Sequence, residues 1–425
     1  MSAYDLLRPM STSGSVAVIG AGIIGICIGL ELQKRGFSVC LYDREPLDSN
    51  RRASAGNAGA FAFTDVMPLA TPGIMRKAPK WLFDPLGPLS IPPQYALNIT
   101  PWMLRFWRAS RADRYAAGVA AQSALMAHCR DALERLVEDV DGEAMLLRQG
   151  QLQLYEGAME FRATKPEWDL RRDHGIAFET FDSANAIAEI QPGLDPRFTH
   201  AGFTPTWINV VEPQAWRTHL AQAFLTRGGA FQTADVKSLS QHDAEAVLQT
   251  AQGPQKADFA VVAAGAYSHH LSRTLGEPVP LETERGYNTT LPAGAFDLRT
   301  HLTFAGHGFV VTSNKGGVRV GGAVELGGLS LPPNMRRAEI LLQKAKRFMP
   351  ELNIDGGTQW MGFRPSLPDS LPLLDRSKAA SRVIYAFGHG HLGLTQAAGT
   401  AELIADVLTD QTPAIDLSPF RRSRF

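Results

Sequence analysis

Residues 16–25 read Val16-Ala17-Val18-Ile19-Gly20-Ala21-Gly22-Ile23-Ile24-Gly25, and this stretch decides the fold. Its first four residues are apolar and rich in β-branching, with no polar alternation, the pattern of a parallel strand buried on both faces. The run enters Gly-x-Gly-x-x-Gly directly. An apolar helical stretch follows from Ile26 to Lys34, Gly36 is placed to end it, and a second strand over Ser38–Tyr42 stops at Asp43. Strand, glycine turn, helix, strand and acid thus fall within residues 16–43 in the order a dinucleotide requires. Gly20 permits the tight turn, Gly22 lets the backbone approach a pyrophosphate, and Gly25 lets helix and strand pack closely. The helix start presents unpaired N–H groups and a positive dipole end to the phosphate. Asp43 offers acceptors to a ribose diol. The motif does not itself separate NAD from FAD, and its bland alternative is a parallel-sheet turn with no ligand.

The same reading disposes of a false lead. Pro9–Leu30 carries no charge and follows Arg8, which superficially suggests a secretory signal or a membrane span. Gly14, Gly20, Gly22, Gly25 and Gly29 interrupt it, and no convincing small-residue cleavage site follows. No other stretch is long enough to cross a bilayer. The chain has 425 residues with 42 basic and 42 acidic side chains, so it lacks the basic excess that usually marks nucleic-acid binding. With 44% apolar and 20% charged residues it reads as an ordinary globular protein. At roughly 150 residues per domain, two or three domains are expected. Cys27, Cys40 and Cys129 form no C-x-x-C pair and no disulfide framework, which disfavours structural zinc and fits a reducing compartment.

Further along, Ala53–Ala60 is a run of small residues containing Ser54, Asn57 and Gly59, suited to backbone lying close to a flat ligand or simply to a loop. Lys80–Arg108 holds five prolines and six aromatics and is expected to be too proline-rich for one regular element. It reads as a packed connection between domains, with a docking surface for a membrane or partner as the alternative. Tyr115–Val140 has the spacing of a long amphipathic helix, and strand pairs broken by Gly150 are expected over Leu146–Tyr155. A helix over Pro213–Arg227 is followed by strands near Phe231–Val236, Ala246–Gln249 and Asp258–Ala263, the last running into Ala264-Gly265. His301–Leu326 alternates like an antiparallel sheet, and a helix follows near Arg336–Phe348. The strand Val383–Phe387 leads through Gly388-His389-Gly390-His391-Leu392-Gly393-Leu394-Thr395 into a last helix ending near Leu408. No second Gly-x-Gly-x-x-Gly follows, which argues against separate folds for FAD and NAD(P)H. His389-Gly390-His391 resembles a metal pair, but no third ligand is evident, and no metal is expected.

These blocks, in this order and with Trp360-Met361-Gly362-Phe363-Arg364-Pro365 between them, resemble the FAD-dependent D-amino-acid oxidase and dehydrogenase superfamily over nearly the whole chain. The aromatic Lys80–Trp107 segment is most similar to the small, catalytic chain of D-amino-acid dehydrogenases. The resemblance implies an α/β plus α+β architecture: a doubly wound, Rossmann-like FAD domain interleaved with a mixed-sheet substrate domain. Residues 14–64, 209–278 and 355–425 would form the first, and 65–208 and 279–354 the second. It implies that Gly20, Gly22, Ile24 and Gly25 hold the FAD pyrophosphate and that Asp43 and Arg44 flank the adenosine ribose. Ser54, Asn57 and Gly59 would lie along the pyrophosphate and flavin, and Val236, Ala264 and Gly265 near adenine. Gly393, Leu394 and Thr395 would bring N–H groups to the flavin N1–O2 edge. Arg364 would clamp a substrate carboxylate, with a structural salt bridge to Asp369 or Asp375 as the plain alternative. Tyr287 would form a wall or lid with a hydroxyl to offer, and His391 would lie near the isoalloxazine. No cysteine follows Cys129, so FAD is expected to be non-covalent.

The activity implied is oxidation of a D-amino or cyclic imino acid, of D-proline, hydroxy-D-proline or D-alanine type. Hydride passes from Cα to flavin N5, and the imine goes on to a 2-oxo acid. Dehydrogenase is favoured over oxidase, and electrons would pass to a quinone, another carrier or oxygen. The rivals are a sarcosine or glycine oxidase, an L-2-hydroxy-acid dehydrogenase, and a flavin-binding subunit of a heteromeric dehydrogenase. The expected location is cytoplasmic, with peripheral contact at the inner membrane face and a partner subunit both left open.

Overall fold

The computed structural model describes residues 14–75, 89–315 and 317–425. Its first unit is a six-stranded sheet in the order Ala230–Thr233, Ser38–Asp43, Ser15–Ile19, Phe259–Val262, Val383–Phe387, Leu373–Arg376. The first five strands run parallel and the last antiparallel. Ser15–Ile19 is buried on both faces, as its uninterrupted apolar run requires. Val16 and Val18 pack into a core shared with the helices Ile23–Lys34, Pro213–Thr226 and Gly393–Leu408. Ala17 and Ile19 face the opposite core, where Leu239 and Leu248 of a three-stranded antiparallel sheet close the other side.

The chain leaves Ser15–Ile19 for Ser38–Asp43 on one side, and Phe259–Val262 lies on the other. The strand order therefore reverses at this point, where open α/β sheets bind ligands beyond the carboxyl ends of their strands. Gly20, Asp43, Ala263–Gly265 and Gly388 all occupy those ends.

The second unit is a nine-stranded mixed sheet. Its path runs Thr358–Ser366, Glu282–Leu291, Gly317–Leu326, Phe309–Asn314, His301–Phe304, Gln151–Tyr155, His200–Thr204, Glu179–Phe181, with Leu89–Ser90 beside Gly317–Leu326. One face packs on the helix Arg336–Phe348 through Leu302, Val311, Val318 and Val320 against Leu341, Ala345 and Phe348. The other face looks toward the nucleotide-type sheet. The strand carrying Arg364 sits at the edge of this large sheet, although it lies inside the 355–425 stretch that the sequence reading assigns to the other unit.

Lys80–Arg108 is not one regular element, as expected, but part of it is helical. Residues 80–88 lie outside the described residues, but Ala96–Ala109 is a regular helix with Pro101 inside it. Ile99 and Trp102 are buried together with Leu326, and Trp102 stacks on Phe106 at 5.2 Å between ring centroids. That burial outweighs the backbone hydrogen bond lost at Pro101. Leu146–Tyr155 also resolves differently: Leu146–Leu147 and Gln151–Tyr155 belong to different sheets, and Gly150 turns between them at φ +73°.

Candidate active site

A single cavity of about 1210 Å³ runs between the two units, from the glycine turn to the face of the large sheet. That exceeds the roughly 300–1,000 Å³ of a usual small-molecule pocket, and suits a dinucleotide together with a substrate.

At one end, the turn after Ser15–Ile19 is shaped by contacts that leave no room for side chains. Gly20 has φ +111°, and a Cβ there would lie 2.3 Å from the Ala263 carbonyl oxygen; one on Gly25 would lie 1.8 Å from the Gly20 carbonyl oxygen. Gly22 is different: its nearest neighbour would be the Ser54 Oγ at 3.7 Å, and it faces the cavity. The Ser54 hydroxyl accepts from the Ile23 N–H at 3.3 Å, beside the first turn of the helix. Asp43 Oδ2 accepts from the Ala21 N–H at 2.8 Å and from Arg52 Nε at 3.1 Å, while Oδ1 accepts from the Glu45 N–H at 2.9 Å. The carboxylate thus braces the turn and keeps acceptor capacity beyond these three bonds. Arg44 lies over the Tyr267 ring at 3.6 Å, and both line the cavity next to Val236, Ala264 and Gly265.

In the middle, the small residues at 53–60 are held against the large sheet. Asn288 Nδ2 donates to the Gly56 carbonyl at 2.8 Å, and Arg319 donates to the Asn57 carbonyl. A Cβ on Gly56 would lie 2.2 Å from Trp360, which explains a small residue there. Asn57 Oδ1 accepts from the Gly59 N–H at 2.6 Å, and the Gly59 carbonyl accepts from the Val210 N–H at 2.7 Å. The helix Gly393–Leu408 starts at the cavity with no side-chain cap on its first N–H groups. Thr395 Oγ1 accepts from the Ala62 N–H at 2.9 Å and so anchors the 60–62 segment to that helix. Uncapped N–H groups at a helix start make a site for negative charge.

At the far end stand Arg364, Glu284 and His391. Arg364 packs across Gly286, whose Cβ would fall 2.4 Å from a guanidinium nitrogen, and donates to the Ala323 carbonyl at 3.3 Å. It makes no salt bridge to Asp369 or Asp375: Arg424 pairs with Asp369 at 2.7 Å, and the Arg422 N–H donates to Asp375. Burial lowers the Arg364 pKa, and Glu284 opposes that shift. His391 opens onto the cavity, and burial together with Arg364 pushes its pKa down to about 4, so it is neutral at pH 7. His389, also on the cavity lining, is buried and pairs through Nε2 with Thr400 Oγ1 at 3.0 Å.

Of the residues singled out from sequence, Gly20, Gly22, Ile24, Asp43, Arg44, Ser54, Asn57, Val236, Ala264, Gly265, Tyr287, Arg364, His391, Gly393, Leu394 and Thr395 line this cavity. Gly25 and Gly59 do not; they set the backbone behind it. Tyr287 reaches the wall, but its hydroxyl is not on offer. It donates to Glu325 Oε1 at 2.8 Å and accepts from the Asn334 N–H at 3.1 Å, inside a buried network with Arg285. The sequence reading passed over Glu284, Asn288, Arg319 and Trp360, which also line the cavity. Strand alternation sets Glu284, Gly286 and Asn288 on one face but does not say that this face meets the cavity; the pairing with Thr358–Ser366 supplies that.

The residues fit FAD. The Gly22 cradle, two helix starts whose own N-cap residues supply no side-chain cap, and the extent of the cavity are what a flavin dinucleotide requires. The chain is similar over most of its length to known flavoproteins. It is 33% identical over 421 residues to a D-amino-acid oxidase of Bradyrhizobium diazoefficiens, covering 96% of this chain and 98% of that one. It is 30% identical over 424 residues to a D-amino acid dehydrogenase of Rhodopseudomonas palustris, covering 96% and 97%. The crystal structure of a glycine oxidase from Geobacillus kaustophilus superposes with a TM-score of 0.77 at 21% identity, covering 97% and 99%, which shows a common fold. The profile of the family described as DAO, FAD dependent oxidoreductase, matches residues 15–407, and the chain belongs to that family.

Proposed function

We propose that this FAD-dependent oxidoreductase oxidises a D-amino or cyclic imino acid, acting as a dehydrogenase. The observation that carries the reading is Arg364: a cation on the cavity wall, with one N–H donated to Ala323 and, among the described residues, no carboxylate in a salt bridge to its fork. A planar fork in that setting binds a carboxylate in two parallel hydrogen bonds. The names of the similar proteins support the amino-acid class and the D configuration.

When bound, FAD would supply the two-electron chemistry, as acceptor of the substrate's α-hydrogen. The protein's own contributions are binding and orientation. Arg364 fixes the carboxylate and so limits how Cα can present its hydrogen. His391, neutral at pH 7, adds no competing cation beside Arg364. The Gly20–Gly25 turn, Asp43, Arg44 and the start of Gly393–Leu408 hold the cofactor, and the Gly393 helix start stabilises negative charge that develops next to it. The product imine hydrolyses to a 2-oxo acid and ammonia, or leaves intact when cyclic. The test is anaerobic bleaching of the flavin absorbance by D-proline, hydroxy-D-proline and D-alanine, set against their L-isomers, sarcosine and 2-hydroxy acids. Bleaching by the D-isomers alone is expected; bleaching by sarcosine or hydroxy acids instead overturns the reading.

The outer face of Ala96–Ala109 supports peripheral contact with an anionic membrane surface. Leu97, Leu104 and Trp107 are 88%, 58% and 49% exposed. Arg105, Arg108, Arg111 and Arg114 are exposed beside them, with Asp113 as the acidic neighbour. An apolar row edged by arginines is the pattern of a helix lying in the headgroup layer. Contact there would suit a membrane quinone as electron acceptor. Among the described residues no helix is long and apolar enough to cross a membrane.

A further inference from the structure

Glu284 is a buried carboxyl for which the reading above has no use. It is 4% exposed and lines the cavity. Its Oε2 is fully buried without a hydrogen bond of ordinary geometry, near the Ser366 hydroxyl that acts on its charge. Glu282–Leu291 and Thr358–Ser366 are antiparallel neighbours, and their register sets Glu284 directly opposite Arg364. Residues so paired have Cβ atoms about 4.5–5.5 Å apart. A buried carboxylate is costly, and among the described residues Glu284 has no salt bridge, so its place on the cavity lining marks a site where a positive group completes it. An α-amino acid bears its carboxylate and its ammonium on one carbon. An arginine and a carboxylate side by side are the complement of that head group.

We propose that Glu284 binds the substrate's ammonium group beside the carboxylate held by Arg364 and removes its proton. This assignment rests on the amino-acid reading given above. In the step, an N–H bond of the ammonium breaks and an O–H bond forms on Glu284. The ammonium becomes a neutral amine and the carboxylate a carboxylic acid. The electron pair stays on nitrogen, where it assists departure of the Cα hydrogen, and the proton transfer requires no oxidant. A 2-hydroxy acid offers Glu284 a neutral O–H donor in place of the charged ammonium, so the residue also favours amino acids over 2-hydroxy acids.

The surroundings suit a base. Burial raises the Glu284 pKa above the ordinary carboxylate range, while Arg364 and Ser366 hold it down. When a substrate carboxylate occupies Arg364, that restraint weakens and Glu284 becomes the stronger base. The other charged neighbours are otherwise engaged. His391 faces Arg364 and is neutral at pH 7. Glu282, two residues back, accepts from the Tyr95 hydroxyl at 2.8 Å. Arg285 pairs with Glu325 at 3.1 Å, and Arg337 faces Glu325 and Tyr287.

The test compares holoenzyme with Glu284→Gln and Glu284→Asp holoenzymes, using an amino acid that the wild type oxidises, from about pH 5 upward. General-base removal typically costs about 10²–10⁴-fold. The Gln variant is expected to lose about 10²-fold or more of kcat/KM near pH 7. It should then recover about tenfold per pH unit toward the amine's own pKa, where free neutral amine makes the base unnecessary. The Asp variant should recover part of the loss near neutrality. An amine-free carboxylic acid, followed by its perturbation of the flavin spectrum, should bind the Gln variant within a few-fold of wild type. A Gln variant with a wild-type pH profile overturns the assignment, as does a loss that stays constant from neutral to alkaline pH. Those outcomes leave the amino-acid reading standing. A wild type that no amino acid reduces overturns that reading and this assignment together.

Discussion

Adding one methyl group to Gly22 separates what the glycine turn does for folding from what it does for the cofactor. Gly22 has φ −74° and ψ −178°, a conformation any residue adopts. Its Cβ would meet only the Ser54 Oγ, at an ordinary 3.7 Å. Gly22→Ala should therefore leave the apoprotein folded, and stiffening the unfolded chain would raise its stability by about 0.4–1 kcal/mol. The methyl would instead project into the cavity where a phosphate approaches the backbone. Each charge-assisted hydrogen bond lost there is worth about 1.5–3 kcal/mol. Losing one or two weakens FAD binding by about 3 kcal/mol, on the order of 100-fold. Gly25→Ala is the contrast. Its Cβ would sit 1.8 Å from the Gly20 carbonyl oxygen, so the turn itself must move. Overpacking of that kind costs about 1–3 kcal/mol of stability, or more. The assay is thermal unfolding of flavin-free protein by circular dichroism, alongside titration of FAD by fluorescence quenching. Wild-type FAD affinity in Gly22→Ala would refute the reasoning. So would an apoprotein that loses as much stability as Gly25→Ala.

Arg364→Lys keeps the charge but not the fork, so kcat/KM should fall by about 10²-fold or more while the FAD content stays at wild type; steady-state kinetics on the same amino acid checks this. Flavin should remain in the supernatant after acid precipitation, because none of Cys27, Cys40 and Cys129 lines the cavity; colour in the pellet would point to a covalent link. Replacing Leu97 and Trp107 with serine should release the protein from vesicles containing anionic lipid. Activity with a soluble acceptor should be unchanged, and sedimentation equal to wild type would argue against the helix as the contact.

The nucleotide half was legible because its rules are local. A strand that must be buried on both faces reads as Val16–Ile19, and the turn after it reads as Gly20, Gly22 and Gly25, since backbone recognition of a phosphate leaves only small residues as solutions. The strand-to-helix turn over 388–395 was legible from its glycines, while the roles of Gly393, Leu394 and Thr395 came from the resemblance. Arg364 came from the resemblance, and its position on the cavity wall gives that assignment a geometric basis. The helix Ala96–Ala109 was missed because the five prolines of Lys80–Arg108 were weighed together, although four precede the helix, and burial of Ile99 and Trp102 against Leu326 decides the conformation. Leu326 is distant in sequence, and no local window contains it.

The substrate half obeys different rules. Glu282–Leu291 carries polar or charged side chains toward both faces, so alternation alone does not say which face meets the ligand. Glu284 and Arg285 take opposite faces by alternation, and the register decides whom they meet: Arg364 of Thr358–Ser366 for Glu284, and Glu325 of Gly317–Leu326 for Arg285. The register also shifts between Arg285 and Tyr287, which re-aims the residues on either side. Tyr287 shows the consequence: its side chain suggested a substrate hydroxyl partner, yet the shift and the long-range pairing commit that hydroxyl to Glu325. A cofactor gripped through backbone N–H groups leaves a trace in residue size along a few consecutive positions. A substrate gripped by side chains from separate strands leaves its trace in the pairing of those strands, and Glu284 opposite Arg364 becomes visible only once that pairing is known.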